Sequence, residues 1–141
     1  MQFRSPKATV GAVITHPVKG NSYILLTRRN IEPFHNYWCL PGGHIELFEG
    51  VESAIIREVK EETNLSVKPT FLNYFEENFP EKDFHYVVLF FYGVGEGELL
   101  KQDDEVKETA WVNINEAMQK ELAFCHNEVL SYYNKEILKN S

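Results

Sequence analysis

The stretch Gly42–Leu65 reads GGHIELFEGVESAIIREVKEETNL, and its second half decides the fold. From Val51 to Thr63 there is no Gly or Pro and the residues are good helix formers, so the segment is predicted to be an α-helix. At 100° per residue, Glu61 and Glu62 fall about 60° and 40° to either side of Glu58, so three carboxylates share one face. Ile55, Val59 and Ile56 fall on another arc, about 60° to 160° from Glu58, and are expected to anchor the helix to a sheet. Glu58 and Glu62, four apart, repel each other by a few tenths of a kcal/mol in an isolated helix. Arg57 can pair with Glu61, but Glu58 and Glu62 have no cation three or four positions away. A bound metal ion would remove the conflict. Three hard oxygen donors without a thiol or histidine cluster suit Mg²⁺ or Mn²⁺ better than zinc. For a bare EVKEE string the commoner reading is a solvated acidic face. Gly42 and Gly43 shift the balance, because they let the backbone come close to a ligand and offer a main-chain carbonyl beside the carboxylates.

The composition bounds the domain count, the compartment and the class of partner. The 141 residues are 43% hydrophobic, enough for one compact core, and one domain is expected over residues 1–141. No apolar run reaches the roughly 20 residues of a membrane span, and the N-terminus has no stretch of signal-peptide kind, so a cytoplasmic protein without a membrane partner is expected. Cys39 and Cys125 have neither zinc-site spacing nor the density of a disulfide scaffold and are expected to be buried free thiols. The net charge of −7 argues against a nucleic-acid polymer as partner. It would also repel a small phosphate ligand, unless a divalent cation reversed the field locally.

Upstream, ATVGAVIT (Ala8–Thr15) and YILLTR (Tyr23–Arg28) are predicted strands joined by the turn HPVKGN. An aromatic loop follows, with a short strand near Trp38–Leu40. Downstream, PTFLNYFEENF and FHYVVLFFYGV are two strands joined at PEKD, and the polar GEGELLKQDDEVKE leads to a strand at TAWVNI. Asn115 is a candidate cap for a helix over EAMQKEL, and HNEVLSYYNKEILK is a closing amphipathic helix with Val129, Leu130, Tyr133 and Ile137 on its apolar side. Strands alternating with separated helices predict a sheet with helices on both faces.

In detail, Gly43, Glu49, Arg57, Glu58, Val59, Glu61, Glu62 and Leu65 stand in the register G-x5-E-x7-R-E-U-x-E-E-x-G-U, where U is aliphatic. This resembles the signature of the Nudix hydrolases. Asn64 replaces the last glycine of the pattern, at the helix end where a left-handed residue is common and asparagine tolerates it. Phe48 stands where relatives often carry glycine. The segments LLTRR, WCLPGG and WVNINEA extend the likeness. The resemblance implies an α/β fold of the α+β kind, an α/β/α sandwich with a central mixed sheet. It implies Mg²⁺-dependent hydrolysis of a nucleoside diphosphate linked to another moiety. It also implies Glu58 and Glu62 as leading metal ligands, completed by Glu61 and the Gly42 carbonyl, with Arg57 pairing with Glu49 to hold the loop. The general base in relatives comes from the helix or a later loop; here Glu105 is the choice, with Asp103 and Asp104 beside it.

For the substrate, Phe34, Tyr37, Trp38, Phe48, Phe84 and Tyr86 are candidates to stack on a base, each of them also able to be core. Arg28 and Arg29 are candidates for phosphate contact. Pro80 stands where ADP-ribose hydrolases carry a proline, but the rest of their pattern is not clear. The expectation is a nucleoside triphosphate or another small nucleotide, with nucleotide sugars and ADP-ribose as alternatives. A reading of another class is a non-catalytic nucleotide sensor, against which all four signature glutamates are retained. Family members are often homodimers. His85 is read as a structural or substrate-lining residue, and His16, His35, His44 and His126 show no metal spacing.

Overall fold

The computed structural model describes residues 4–140. β1 (Lys7–His16) and β2 (Gly20–Arg29) form the predicted antiparallel hairpin. β1 also runs parallel to β7 (Phe84–Glu96), which is antiparallel to β6 (Thr70–Phe79), so the sheet is mixed. β2 carries β8 (Val106–Asn113) and the short β3 (Trp38–Cys39). Two further short strands, β4 (Gly42–His44) on β1 and β5 (Ser66–Val67) on β7, are not visible in the sequence because two or three residues set no period.

Strand alternation divides the core between the two faces of the sheet. Val13, Ile24, Leu26, Val88 and Phe90 pack with Ile114, Ala117, Leu122, Val129, Leu130 and Tyr133 from α2 (Ile114–Gln119), α3 (His126–Tyr133) and the segment between them. Val10, Ala12, Ile14, Leu25 and Phe91 face the other way and pack on Ala54, Ile55 and Val59 of α1 (Val51–Thr63). Helices therefore cover both faces, the expected α/β/α sandwich. Among the described residues no helix is long and apolar enough to cross a membrane.

Several expectations are corrected. Ile56 does not anchor α1; it is exposed, on the outer edge of the apolar arc. α2 begins two residues before the predicted helix because Asn113, not Asn115, is its cap: the Asn113 side chain accepts the Asn115 N–H at 2.9 Å. β8 starts at Val106 rather than Thr109, since pairing with β2 continues through Arg28↔Glu108 and Arg29↔Val106. The closing helix is α-helical only to Tyr133 and π-helical over Asn134–Leu138.

Candidate active site

α1 is the element that builds the site. Its buried residues are Ala54, Ile55, Val59, Glu62 and Thr63, so an acid lies among the side chains that face the sheet. Glu62 is 6% exposed, and its Oε1 accepts the Gly42 N–H at 3.3 Å. Burial above all, with Cys39 and then the negative charges of Glu58 and Asp103 adding, pushes its carboxyl well above the usual range. Glu58 is partly buried and is also raised, chiefly by burial, with Arg57 opposing.

The two glycines before the loop let helix and strand close on each other. A Cβ on Gly43 would stand 2.4–2.6 Å from the carboxyl atoms of Glu58, and one on Gly42 would stand 2.2 Å from the Val10 carbonyl oxygen. No other residue type could occupy either position without a displacement. At the far end Asn64 takes the left-handed conformation (φ 68°), its N–H donates to the Lys60 carbonyl, and its Nδ2 donates to the Glu98 carbonyl at 3.0 Å.

Arg57 ties the loop to the helix. Its Nε and Nη2 donate to the two oxygens of Glu49 at 2.8 and 2.9 Å, a bidentate fork. Nη1 donates to Glu58 at 2.9 Å and Glu61 at 3.2 Å, and Nη2 also to the His44 carbonyl at 2.9 Å. The guanidinium holds Glu49 down at about 2. Among the described residues no three acidic, histidine or cysteine side chains are gathered closely enough to hold an ion, and Arg57 serves as the counter-charge of Glu58 and Glu61. The donor set nevertheless fits a hard divalent cation. Glu62 is a buried acid with one backbone donor and no cationic partner, and Glu58 stands beside it, negative toward it.

A cavity of about 250 Å³ runs from this acidic end into the sheet. Gly42, Gly43, Glu62 and Asp103 line it together with Arg29, Glu77, Phe84, Tyr86, Phe124 and His126. Of the acids in the loop before β8, Glu105 lines the cavity, but Asp103 is the one whose charge bears most on Glu58 and Glu62. Asp103 also accepts the Glu105 N–H at 2.8 Å, fixing the turn.

The arginines and aromatics separate by strand geometry. Arg28 and Arg29 are neighbours on β2, so their side chains point to opposite sides and only one can reach the cavity. Arg29 does, lying 4.8 Å over the Phe124 ring with Nε donating to the Pro33 carbonyl. Arg28 does not: it donates to Glu108 at 2.9 Å and to the Asn36 carbonyl. Phe84 lines the cavity and stacks on Tyr86 (4.0 Å between centroids) and Phe124 (5.3 Å). Phe34 is outside the lining and packs edge-on against Tyr37 and Phe79 and at a tilt against Phe124. Phe48 is 97% exposed and left-handed (φ 67°) at the loop tip. His85 is exposed on the opposite row of β7.

Three lining residues have no signal in the sequence: Glu77, Phe124 and His126. Cys39 and Cys125 are free and buried, as expected. The Leu40 N–H donates to Nδ1 of His126 at 2.9 Å, which leaves the ring proton on Nε2, 3.5 Å from Oε2 of Glu77.

A model of the NUDIX domain family matches residues 5–133. The chain belongs to the Nudix hydrolase family. It is 34% identical to the ADP-ribose pyrophosphatase of Methanocaldococcus jannaschii over 93% of this chain and 75% of that protein. Its fold is that of the MutT NUDIX hydrolase of Burkholderia pseudomallei, with a TM-score of 0.83 and 24% identity over 92% of this chain and 98% of the other. It is also that of the NUDIX domain of Shewanella oneidensis NrtR, solved in complex with ADP ribose, with a TM-score of 0.84 and 23% identity over 96% and 90%. This Nudix hydrolase is thus a pyrophosphohydrolase acting on nucleotides.

Proposed function

We propose that residues 1–141 act as one Nudix domain that hydrolyses the diphosphate of a nucleoside diphosphate linked to a second group, with ADP-ribose as its first candidate substrate. The observation that carries this reading is a single cavity lined both by Glu62 of the acidic helix and by Arg29, Phe84, Tyr86 and Phe124. A nucleoside held by the aromatic residues leaves its diphosphate beside Glu58 and Glu62. The substrate choice rests on the 34% identity to an ADP-ribose pyrophosphatase and moves the nucleoside triphosphate expected from the sequence to second place.

Glu58 and Glu62, with Glu61 and the Gly42 carbonyl, are the residues that would hold Mg²⁺ or Mn²⁺. Such an ion, when bound, offsets the charge of the diphosphate and acidifies a water. Arg57 acts on the substrate only through the groups it holds: it fixes the 46–49 loop through Glu49 and sets the orientation of Glu58. Asp103 and Glu105 are the candidate bases, both lining the cavity within the same turn. Arg29 and Phe84 bind the nucleoside end.

The test is product analysis with ADP-ribose, nucleotide sugars and nucleoside triphosphates in Mg²⁺ and in chelator. Release of AMP and ribose 5-phosphate, lost in chelator, supports the reading. Faster turnover of a nucleoside triphosphate would overturn the substrate choice, and binding without any product would favour a sensor.

A further inference from the structure

β6 pairs only with β7, and of its ten residues Glu77 alone is fully buried, at 4% exposure. Its neighbours in the inward row are Phe75, which packs on Phe90, and Phe79, which packs on Phe84. An aliphatic residue at this position would continue the row without the penalty of burying a carboxyl group. Among the described residues no lysine or arginine pairs with Glu77. Its partners are the Cys125 thiol, donating at 3.3 Å, and the His126 ring at 3.5 Å, and both approach the same oxygen, Oε2.

No described residue donates a hydrogen bond to Oε1. Every sealed side-chain oxygen or nitrogen among the described residues has a partner, so Oε1 is not sealed, and Glu77 is one of the residues that line the cavity. Phe84, Tyr86 and Phe124, stacked on one another, line the same cavity, and Tyr86 is the register partner of Glu77 on β7. An oxygen that only accepts, set among aromatic rings, matches a planar heterocycle presenting an N–H donor. With Oε2 already taken twice, one oxygen is left, which suits a single amino group better than the paired donors of a guanine edge.

We propose that Glu77 reads the exocyclic amino group of the substrate's base through Oε1, and so makes the enzyme selective for adenine-type bases over those with a carbonyl at the same position. This rests on the reading of the cavity as the nucleotide site. A carbonyl there would face the carboxyl acceptor to acceptor, which rejects it as well as failing to bind it.

The experiment is calorimetric binding of AMP, purine riboside 5′-phosphate, which lacks the amino group, and IMP, which replaces it with a carbonyl. The wild type should bind AMP at least about tenfold tighter than either analogue, the effect of one hydrogen bond in a buried site. Glu77→Gln, with its fold checked by near-ultraviolet circular dichroism, should bring AMP and IMP within about threefold of each other, because the amide can donate to the carbonyl. Equal wild-type affinities, no AMP binding at millimolar concentration, or an unchanged ratio in a folded Glu77→Gln would overturn the assignment. Should that variant not fold, the wild-type ratios decide alone. Turnover of ADP-ribose is scored separately. Selectivity without turnover overturns the proposed reaction and keeps the base reader, and turnover without selectivity does the reverse.

Discussion

Replacing Glu62 with glutamine should move stability and activity in opposite directions. In the absence of metal Glu62 is an acid at 6% exposure, with one N–H donor at 3.3 Å and the negative Glu58 and Asp103 nearby. An ionised group in such a place costs several kcal/mol, part of which is avoided by its raised proton affinity. Glutamine keeps an acceptor for the Gly42 N–H and removes the charge. The gain in chelator near neutral pH should be about 1–3 kcal/mol, or roughly 3–8 °C in melting temperature for a domain of this size. The pH dependence has a definite sign. Folding raises this carboxyl above its unfolded value of about 4.3, so the wild type is penalised progressively as pH rises above that value. The advantage of Glu62→Gln should therefore vanish below about pH 4. Millimolar Mg²⁺ should raise the melting temperature of the wild type and not of the variant, whose turnover should fall by about two orders of magnitude or more. Differential scanning calorimetry with and without chelator, beside a product assay, reads all of this. A variant less stable than the wild type in chelator, or one stabilised equally by Mg²⁺, would refute the reasoning.

Gly43→Ala should leave the melting temperature within a few degrees, since the clash is with the mobile end of Glu58, but cut turnover by about a hundredfold; Gly42→Ala, which meets the Val10 backbone, should destabilise by roughly 2 kcal/mol or more on thermal unfolding. Asn64→Gly should keep activity and be neutral within about 1 kcal/mol, because relief of the left-handed backbone offsets loss of the bond to Glu98, whereas Asn64→Ala should cost about 1–2 kcal/mol by denaturant titration. Glu49 is held at about 2, below its unfolded value, so it contributes stability that is present above about pH 4 and lost as pH falls toward 2; acid titration of Glu49→Gln should lack that loss over the same window.

How much of this was legible beforehand depended on whether the information was local. α1 spans the predicted Val51–Thr63 because a run of formers without Gly or Pro needs no tertiary help to be recognised. Dividing the helix into a carboxylate face and an apolar arc did not show the burial of Glu62, which lies about 20° from Ile55, while Glu61, about 100° farther round, is exposed. The left-handed Asn64 was readable, as the helix was, from local sequence. The two arginines show the limit: period-two alternation says that only one of Arg28 and Arg29 reaches the cavity, and the packing around β2 decides which.

The nucleoside end of the cavity lies beyond that limit. Glu77 comes from an edge strand, whereas Phe124 and His126 stand two residues apart where a left-handed turn leads into α3, and nothing in the sequence links these two segments to each other or to the helix. They meet only because β6 and α3 both close over β7. The acidic end is written in one helix and its flanking glycines, so its chemistry tolerates change elsewhere in the chain. The proposed nucleoside end is assembled from two distant segments and can change without touching that helix. On the proposed reading the reaction is set by local sequence and the choice of base by tertiary closure, so substitutions that alter specificity should fall on β6 and the α2–α3 connection rather than on α1.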